Sequence, residues 1–284
     1  MIDMLIKIPC PYFLGIFILF SAFCIFAAWL LNKLQDDSTR YPMPNQTSLN
    51  PFEIAALRDG RKGVIQTALF NLYNRELLTI TGTGNSAQVQ INDSATQKPE
   101  GAIEEVIYQF ANQARKPAAF FKNTALQESL DKFLEPINQK LENMHLKPTD
   151  FQTTRTWKRL MVTLFIILGV GGTKAFFDIF VYEQPFDFLL YLLLFIFAIT
   201  FKVLKPNNQT ALGKRFQKQL AKAFKSIKDE ELTEIDHTFK VAIFGTSALS
   251  GFAAFSSFKN AFSNRSHSES GGGCGGGGCG GCGG

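Results

Sequence analysis

The chain alternates between long charge-free apolar runs and polar, amphipathic segments. The run from Ile8 to Leu31 carries no charge over 24 residues. At about 1.5 Å of rise per residue, such a helix crosses a hydrocarbon core of about 30 Å. It is longer than the ~7–15 apolar residues of a cleaved signal peptide, and no A-x-A-like site follows it. We therefore predict a retained transmembrane helix over residues 8–34, followed by a linker over 35–48.

Two further charge-free runs, Leu160 to Thr173 and Phe188 to Phe201, have 14 residues each. Each is short for a membrane span unless it extends over the charged residues at its ends, whose side chains reach the interface. We predict a transmembrane hairpin over 157–204; the alternative is a buried hairpin of a soluble protein. Lys174 and Asp178 stand four residues apart, either as an intramembrane functional pair or as a pair at the outer boundary.

The last apolar run, Val241 to Phe258, is charge-free over 18 residues but contains two Gly and five Ser or Thr. It either crosses as a fourth span or folds back. This polarity favours folding back, which would leave the C-terminal tail in the cytoplasm.

The distribution of Lys and Arg sets the expected orientation. Residues 201–228 hold eight basic residues and no acid, whereas residues 174–187 hold one Lys and three acids. Because basic segments stay in the cytoplasm, we expect residues 32–159 and those after 201 to be cytoplasmic and the N-terminus to lie outside.

A basic amphipathic helix is predicted over 209–235. Its apolar positions recur at helical spacing, and cations occupy the rest. One hypothesis lays it on the membrane surface, where its cations bind anionic lipid head groups; the other docks it on the soluble domain with its lysines exposed. The cations in question are Lys214, Arg215, Lys218, Lys222 and Lys225.

Residues 49–150 have the pattern of a small folded domain. Asn50 and Pro51 suit the start of a helix, a second helix follows over about 61–75, and a hairpin pairs residues 77–81 with 87–91. Helix, helix, hairpin and helix together predict a winged-helix-like α+β domain. DNA recognition would then use the second helix, through outward groups at Gln66, Thr67, Asn71 and Asn74. From residue 45 to 150, however, 11 basic and 12 acidic residues give a net charge of −1, which disfavours a duplex reader.

The C-terminal tail, residues 263–284, is rich in Gly and is expected to be disordered. Cys274, Cys279 and Cys282 have the spacing of three ligands of an iron–sulfur cluster, and His267 could complete a zinc set. Covalent thiol chemistry and a flexible tail with no chemistry are the alternatives. No catalytic constellation is present, and His145 and His237 are isolated in the sequence.

Several short motifs resemble, in order, a family of uncharacterised bacterial multi-pass membrane proteins with a winged-helix-like N-terminal domain and a Gly/Cys-rich C-terminal tail. The motifs are Pro11-Tyr-Phe-Leu14, Leu49-Asn-Pro-Phe-Glu-Ile-Ala-Ala-Leu-Arg58, Ala68-Leu69-x-x-Leu72 with Leu77-Leu78, Gly171-Gly-Thr-Lys174 with Pro185 and Phe188-Leu189, Gln209-Thr-Ala-Leu-Gly213, Val241-Ala-Ile-Phe-Gly245 and the Gly/Cys tail. Asp59-Gly60 stands where the family often has Gly-Gly. The resemblance implies an architecture but no activity.

The expected fold class is therefore a mainly α membrane protein of the bacterial cytoplasmic membrane. It would have three transmembrane helices, or four if residues 241–258 cross, with a winged-helix-like cytoplasmic domain and a disordered tail. The expected function is that of an interaction or scaffold protein. The alternative is a metal- or redox-linked membrane component that uses the tail cysteines.

Overall fold

The computed structural model describes residues 10–180, 187–225, 234–250 and 252–263, which are mostly helical. The helices and strands in chain order are α1 (Cys10–Leu34), α2 (Pro51–Asp59), α3 (Arg61–Asn74), β1 (Leu78–Thr81), β2 (Gln88–Ile91), α4 (Ala102–Phe110), α5 (Pro117–Lys122), α6 (Thr124–Asn143), α7 (Asp150–Phe180), α8 (Asp187–Leu204), α9 (Ala211–Lys225), α10 (Glu234–Phe244) and α11 (Ser256–Ser263). The chain divides into two compact units. Unit 1 comprises residues 1–60 and 134–229, and unit 2 comprises residues 61–133 and 230–284.

A bundle of α1, α7 and α8 forms one part of unit 1. Near one end, Phe13 and Phe17 of α1 pack with Ile167 of α7 and with the start of α8. Near the other end, Ala28 packs with Leu160 and Leu204. The helix α1 is therefore antiparallel to α7 and parallel to α8.

The rest of unit 1 holds α2 in place through polar contacts at both of its ends. Asn50 caps α2 by accepting a hydrogen bond from the Glu53 backbone N–H at 2.8 Å, and Glu53 accepts one from the Asn50 N–H at 2.9 Å. Buried Glu53 also pairs with Lys140 at 2.7 Å. At the C-terminal half of α2, Gln209 Nε2 donates to the Leu57 carbonyl at 2.8 Å. Two motifs of the family resemblance thus have structural roles.

Unit 2 packs a two-stranded antiparallel sheet with α3, α4 and α10. The register pairs Leu78 with Ile91 and Thr81 with Gln88. The helix α3 is buried along most of its length because several elements cover it, including α10 on one side. Phe70 meets Phe255 and Phe258 edge to face, with ring centroids 5.1 and 5.4 Å apart. The segment after α10 therefore belongs to the core of unit 2.

The expectation of three or four spans is wrong. By length and composition, one described helical stretch can cross a membrane: Tyr12–Arg40, which contains most of α1 and the turn after it. The count reaches two only if the bent pair 237–249 and 253–262 is one span. The apolar run of α7 is bounded by Arg159 and Lys174, so at about 1.5 Å per residue it covers only about 21 Å. The apolar part of α8, Leu189–Leu204, is also short.

The apolar run 241–258, which the sequence left open as a possible fourth span, is broken where it contains its small residues. The helix α10 ends at Phe244, a 3₁₀ turn follows over Gly245–Leu249, and the two apolar pieces are bent by 85°. Val241, Ala242 and Ile243 are buried in unit 2. The pattern was apolar because this segment packs in a protein core.

The winged-helix prediction is also wrong, although its elements occur in the expected order. The sheet has only two strands among the described residues. The first helix of the predicted domain, α2, belongs to unit 1, whereas α3 and the hairpin belong to unit 2. Local periodicity identified the helices correctly but did not reveal that α2 packs with distant parts of the chain.

One carboxyl group of unit 1 makes stability depend on pH. Burial raises the pKa of Glu142 above its ordinary value of 4.5; Asp150 raises it further, Lys147 lowers it, and Glu135 raises it again. Burial in turn lowers the pKa of Lys147. As pH rises above 4.5, the unfolded chain loses this proton before the folded chain does, so the free energy of unfolding falls. The fall is complete once the pH has passed the folded pKa, and the lower stability persists at higher pH.

Replacing Glu142 by Gln is therefore expected to raise the free energy of unfolding at neutral pH. The gain should vanish below the ordinary pKa of 4.5, where the carboxyl is protonated in both states. Urea unfolding of the purified chain in detergent at the two pH values measures it. A loss of stability at neutral pH would show that attraction to Lys147 outweighs burial.

Candidate membrane-contact surface

Large exposed apolar side chains are confined to unit 1 in the described part of the chain. Apart from Tyr41, all of them lie on α1, α7 and α8. The most exposed include Leu19 at 73%, Phe165 at 80% and Phe195 at 63%. Only 17% of the most apolar window of α1 is buried, so this helix is not the core helix of a soluble protein. A contiguous apolar surface of this kind marks contact with lipid or another apolar partner.

The bundle is closely packed where α7 crosses its neighbours. A Cβ added at Gly171 would lie 2.5 Å from Leu193 Cδ2 and 2.8 Å from Phe17 Cζ. Small residues let helices approach closely where no hydrophobic effect drives them together, as in lipid.

Replacing Gly171 by Ala is expected to lower stability by about 1–2 kcal/mol, because two side chains must shift. Gly169 is the matched control, since a Cβ there meets nothing within 4 Å. Thermal unfolding in detergent compares the two variants. Equal midpoints would show that the bundle is loosely packed at this point.

One end of the bundle is rich in cations. Arg159 Nη1 donates to Asn32 Oδ1 at 2.8 Å, and its other amino group reaches Gln35, which ties the start of α7 to the end of α1. Exposed basic side chains follow on all three helices at this end: Lys33 on α1, Arg155 and Lys158 on α7, and Lys202 on α8. An apolar surface that ends in cations matches the boundary between acyl chains and anionic head groups.

The helix α9 is fixed to unit 1 at its N-terminus. The Thr210 hydroxyl donates to the His145 carbonyl at 2.7 Å and accepts from the Gly213 N–H at 3.0 Å. Asp36 Oδ2 accepts from the Ala211 N–H at 2.8 Å. Gly213 lies so close to Leu146 that a Cβ would overlap the Leu146 carbonyl oxygen. The start of α9 is therefore held both by Asp36, which follows α1, and by residues 145–146, which follow α6.

The apolar face of α9 is covered by protein. Leu212, Phe216 and Leu220 are buried, whereas the cationic side chains Lys214, Arg215, Lys218 and Lys222 are exposed. Of the two sequence hypotheses, docking with exposed lysines is the one observed. The side chain of Lys225 lies outside the described residues. These four cations define the basic face of α9. Because they point to solvent, they can bind anions that lie outside the protein.

The four side chains that DNA recognition by the second helix would need do not form an outward face. Gln66 and Thr67 are buried in unit 2. Asn71 Nδ2 donates to Glu104 Oε1 at 2.6 Å, and its Oδ1 accepts from Thr238 Oγ1 at 2.9 Å. Asn74 Nδ2 is also buried. The outward placement of these groups suggested by the sequence is therefore wrong, because α3 is covered on several sides.

Most of the other predicted site residues lie outside the described part of the chain. His267, Cys274, Cys279 and Cys282 lie outside it, as does the side chain of Asp178, so the zinc, iron–sulfur and ion-pair hypotheses stay predictions. Lys174 is buried, with its Nζ 5.8 Å from the Phe13 ring centroid. His145 stacks on Tyr41 with centroids 3.5 Å apart, and His237 meets Phe252 edge to face.

No group of three or more His, Cys, Asp or Glu side chains suited to a metal occurs within residues 10–180, 187–225, 234–250 and 252–263. Comparisons with protein-family models, curated proteins and solved structures found no match.

Proposed function

We propose that the protein is a membrane-anchored interaction scaffold. Unit 1 anchors it through α1, with the exposed apolar side chains of α7 and α8 also against lipid. Unit 2 is the part available to a protein partner. The observation that carries the proposal is that the exposed large apolar side chains of the described chain lie on unit 1.

The charge distribution supports the same arrangement. Counted over the described residues, unit 1 has 16 Lys or Arg and 9 Asp or Glu, a net of +7. Unit 2 has 10 basic and 9 acidic residues, a net of +1. Each cation beside an anionic leaflet contributes about 1 kcal/mol to membrane binding. An excess of cations on the unit that carries the exposed apolar surface therefore fits a membrane anchor.

The proposed location is the bacterial cytoplasmic membrane, with the N-terminus outside and unit 2 in the cytoplasm. The cationic end of the bundle supports this orientation, because basic flanks remain on the cytoplasmic side. The basic face of α9 follows α8 after six residues and would meet anionic head groups there. Its apolar face is buried in protein, so this contact is electrostatic.

Acetylation of lysines tests the head-group contact. The full chain is placed in nanodiscs of neutral lipid or of neutral lipid mixed with phosphatidylglycerol. Lys214, Lys218 and Lys222 are expected to react about fivefold more slowly with the anionic lipid, as about 1 kcal/mol per cation implies. High salt should remove the difference because it screens exposed charges.

Lys98 and Lys116 are the controls, since both are exposed on unit 2. Their rates should be the same in both lipids. Equal rates for the α9 lysines as well would contradict the head-group contact. The scaffold role fails separately if cross-linking in native membranes joins no protein to unit 2.

A further inference from the structure

A groove with a volume of about 610 Å³ runs between α1 and α8 on the apolar surface of unit 1. Among the described residues, no charged side chain lines it. On α1 it extends from Ile18 to Trp29, which is about 16 Å at about 1.5 Å of rise per residue. One leaflet supplies about half of a hydrocarbon core of about 30 Å, so the groove is as long as one layer of acyl chains.

One end of this groove is bordered by two cations. The Lys33 Nζ lies 5.1 Å from the ring centroid of Trp29, which is the last groove residue of α1. On α8, Lys202 stands next to Val203, the last groove residue of that helix, and three positions after Ile199. Residues three apart are neighbours on a helix surface, so Lys202 borders the groove face of α8. Because α1 and α8 are parallel, both lysines lie at the same end.

The charges of these two lysines are not neutralised by the protein. In the part of the chain that the structure describes, neither Lys33 nor Lys202 forms an ion pair, and both side chains are exposed. The acids that follow Lys33 are engaged elsewhere. Asp36 accepts hydrogen bonds from two backbone N–H groups, and Asp37 pairs with Arg40 at 3.4 Å. An anion from outside the chain would therefore meet two unpaired cations.

We propose that the groove binds one acyl chain of an anionic phospholipid, whose phosphate is held by Lys33 and Lys202. The apolar walls match the chain in length and polarity, and the lysines match the charge of the head group. Trp29 lies where the two parts of the lipid join, and Trp rings favour this interfacial level. The inference rests on the proposed function, because the groove must face lipid, and it names the class of lipid.

A second copy of the chain is the other apolar partner to consider. All copies in one membrane have the same orientation, so twofold packing on this groove would bring both pairs of Lys33 and Lys202 to the same end. Four like charges would then meet without a carboxylate between them, which opposes association. A phospholipid brings the missing negative charge instead.

Fluorescence of Trp29 measures occupancy, because this residue lines the groove and is one of two Trp in the chain. Trp157→Phe leaves it as the single fluorophore. The full chain in nonionic detergent is titrated with phosphatidylglycerol or phosphatidylcholine carrying the same brominated acyl chains, since bromine quenches Trp on contact. Phosphatidylglycerol should reach half-saturation at an about 25-fold lower mole fraction, because each of the two cations favours an anionic head group about fivefold.

Variants in the same background assign the effect to the groove and its lysines. Lys33→Gln and Lys202→Gln should each raise the half-saturating fraction of phosphatidylglycerol about fivefold and leave that of phosphatidylcholine unchanged. Lys158→Gln is the matched control and should change neither, since Lys158 is exposed at the same end but on α7, which does not line the groove. Ala22→Phe fills the groove, keeps both lysines and should abolish saturable quenching. All four positions are exposed, so the unfolding temperatures should be unchanged.

Equal half-saturating fractions for the two lipids, or no change in either lysine variant, would overturn the proposal. Displacement of phosphatidylglycerol by the same concentration of inorganic phosphate would overturn it too, by showing that the site takes a free anion. A dimer that dissociates in Ala22→Phe would assign the groove to a second copy. None of these results would touch lipid contact by α1, α7 and α8, because that claim is tested in bilayers by a different measurement.

Discussion

Replacing Glu104 by Ala is expected to lower the free energy of unfolding of unit 2 by about 3 kcal/mol. Glu104 is 2% exposed and joins three parts of the unit. Its carboxylate accepts from Asn71 on α3, from Arg75 at 3.4 Å and from the backbone N–H of Glu100 at 3.1 Å. Removing one partner of a buried ion pair leaves the other without compensation, which typically costs about 3–5 kcal/mol.

We place the cost at the lower end because Arg75 also pairs with exposed Glu100 at 3.1 Å. Glu105→Ala is the matched control, since this neighbour is exposed and bonds only Gln109 of its own helix in the described contacts. Urea unfolding followed by pulse proteolysis measures both variants. Equal losses in the two variants would show that the buried network contributes no more than an exposed side chain.

Replacing Gly213 by Ala is expected to cost about 3 kcal/mol and to release α9 from its docked position. The added Cβ would overlap the backbone carbonyl of Leu146, which cannot rotate away as a side chain can. Overpacking of a close contact typically costs about 1–3 kcal/mol, and a backbone neighbour favours the upper end. The hydrogen bonds of Thr210 to His145 and Leu146 would lengthen with it.

Limited digestion with trypsin reports this release, because the protease cleaves after Lys and Arg and the basic face of α9 carries four such sites. Cleavage within α9 should accelerate more than tenfold in Gly213→Ala, as a loss of about 3 kcal/mol in docking implies. Gly169→Ala should leave the cleavage rate unchanged. A wild-type rate in Gly213→Ala would show that α9 is not held by this contact.

Local features of the fold were predictable because short-range rules govern them. Asn50 and Pro51 start α2 as expected, and Asn50 forms a capping box with Glu53. The hairpin lies within one residue of its predicted start at each strand. The alternation of apolar and cationic residues in α9 correctly gave one buried face. Helix caps, turns and the spacing of apolar residues along a helix all depend on residues that are close together in the sequence.

Long-range packing could not be predicted in the same way. An apolar run has the same sequence pattern whether it packs against lipid or against protein, so the sequence left both interpretations of residues 241–258 open. The packing of Phe258 on Phe70 shows that this segment contacts the core of unit 2. The assignment of α2 to unit 1 depends on Lys140 and Gln209, each more than 80 positions away.

The candidate surface was found from sequence in part. Apolar runs and the cations of α9 identified the elements that carry it. Gly213 appeared only as part of a motif, and its close approach to Leu146 is visible only in three dimensions.

The central claim is that the exposed apolar side chains of unit 1 contact lipid. Spin labels at Leu19, Phe165 and Phe195, one at a time, test it directly in the full chain with its five cysteines replaced by Ser and reconstituted in bilayers. Collision with oxygen should exceed collision with a water-soluble nickel complex at all three positions, whereas a label at Lys98 of unit 2 should show the reverse. If the three apolar positions collide with the nickel complex as readily as Lys98 does, the surface faces water and the anchoring role is wrong.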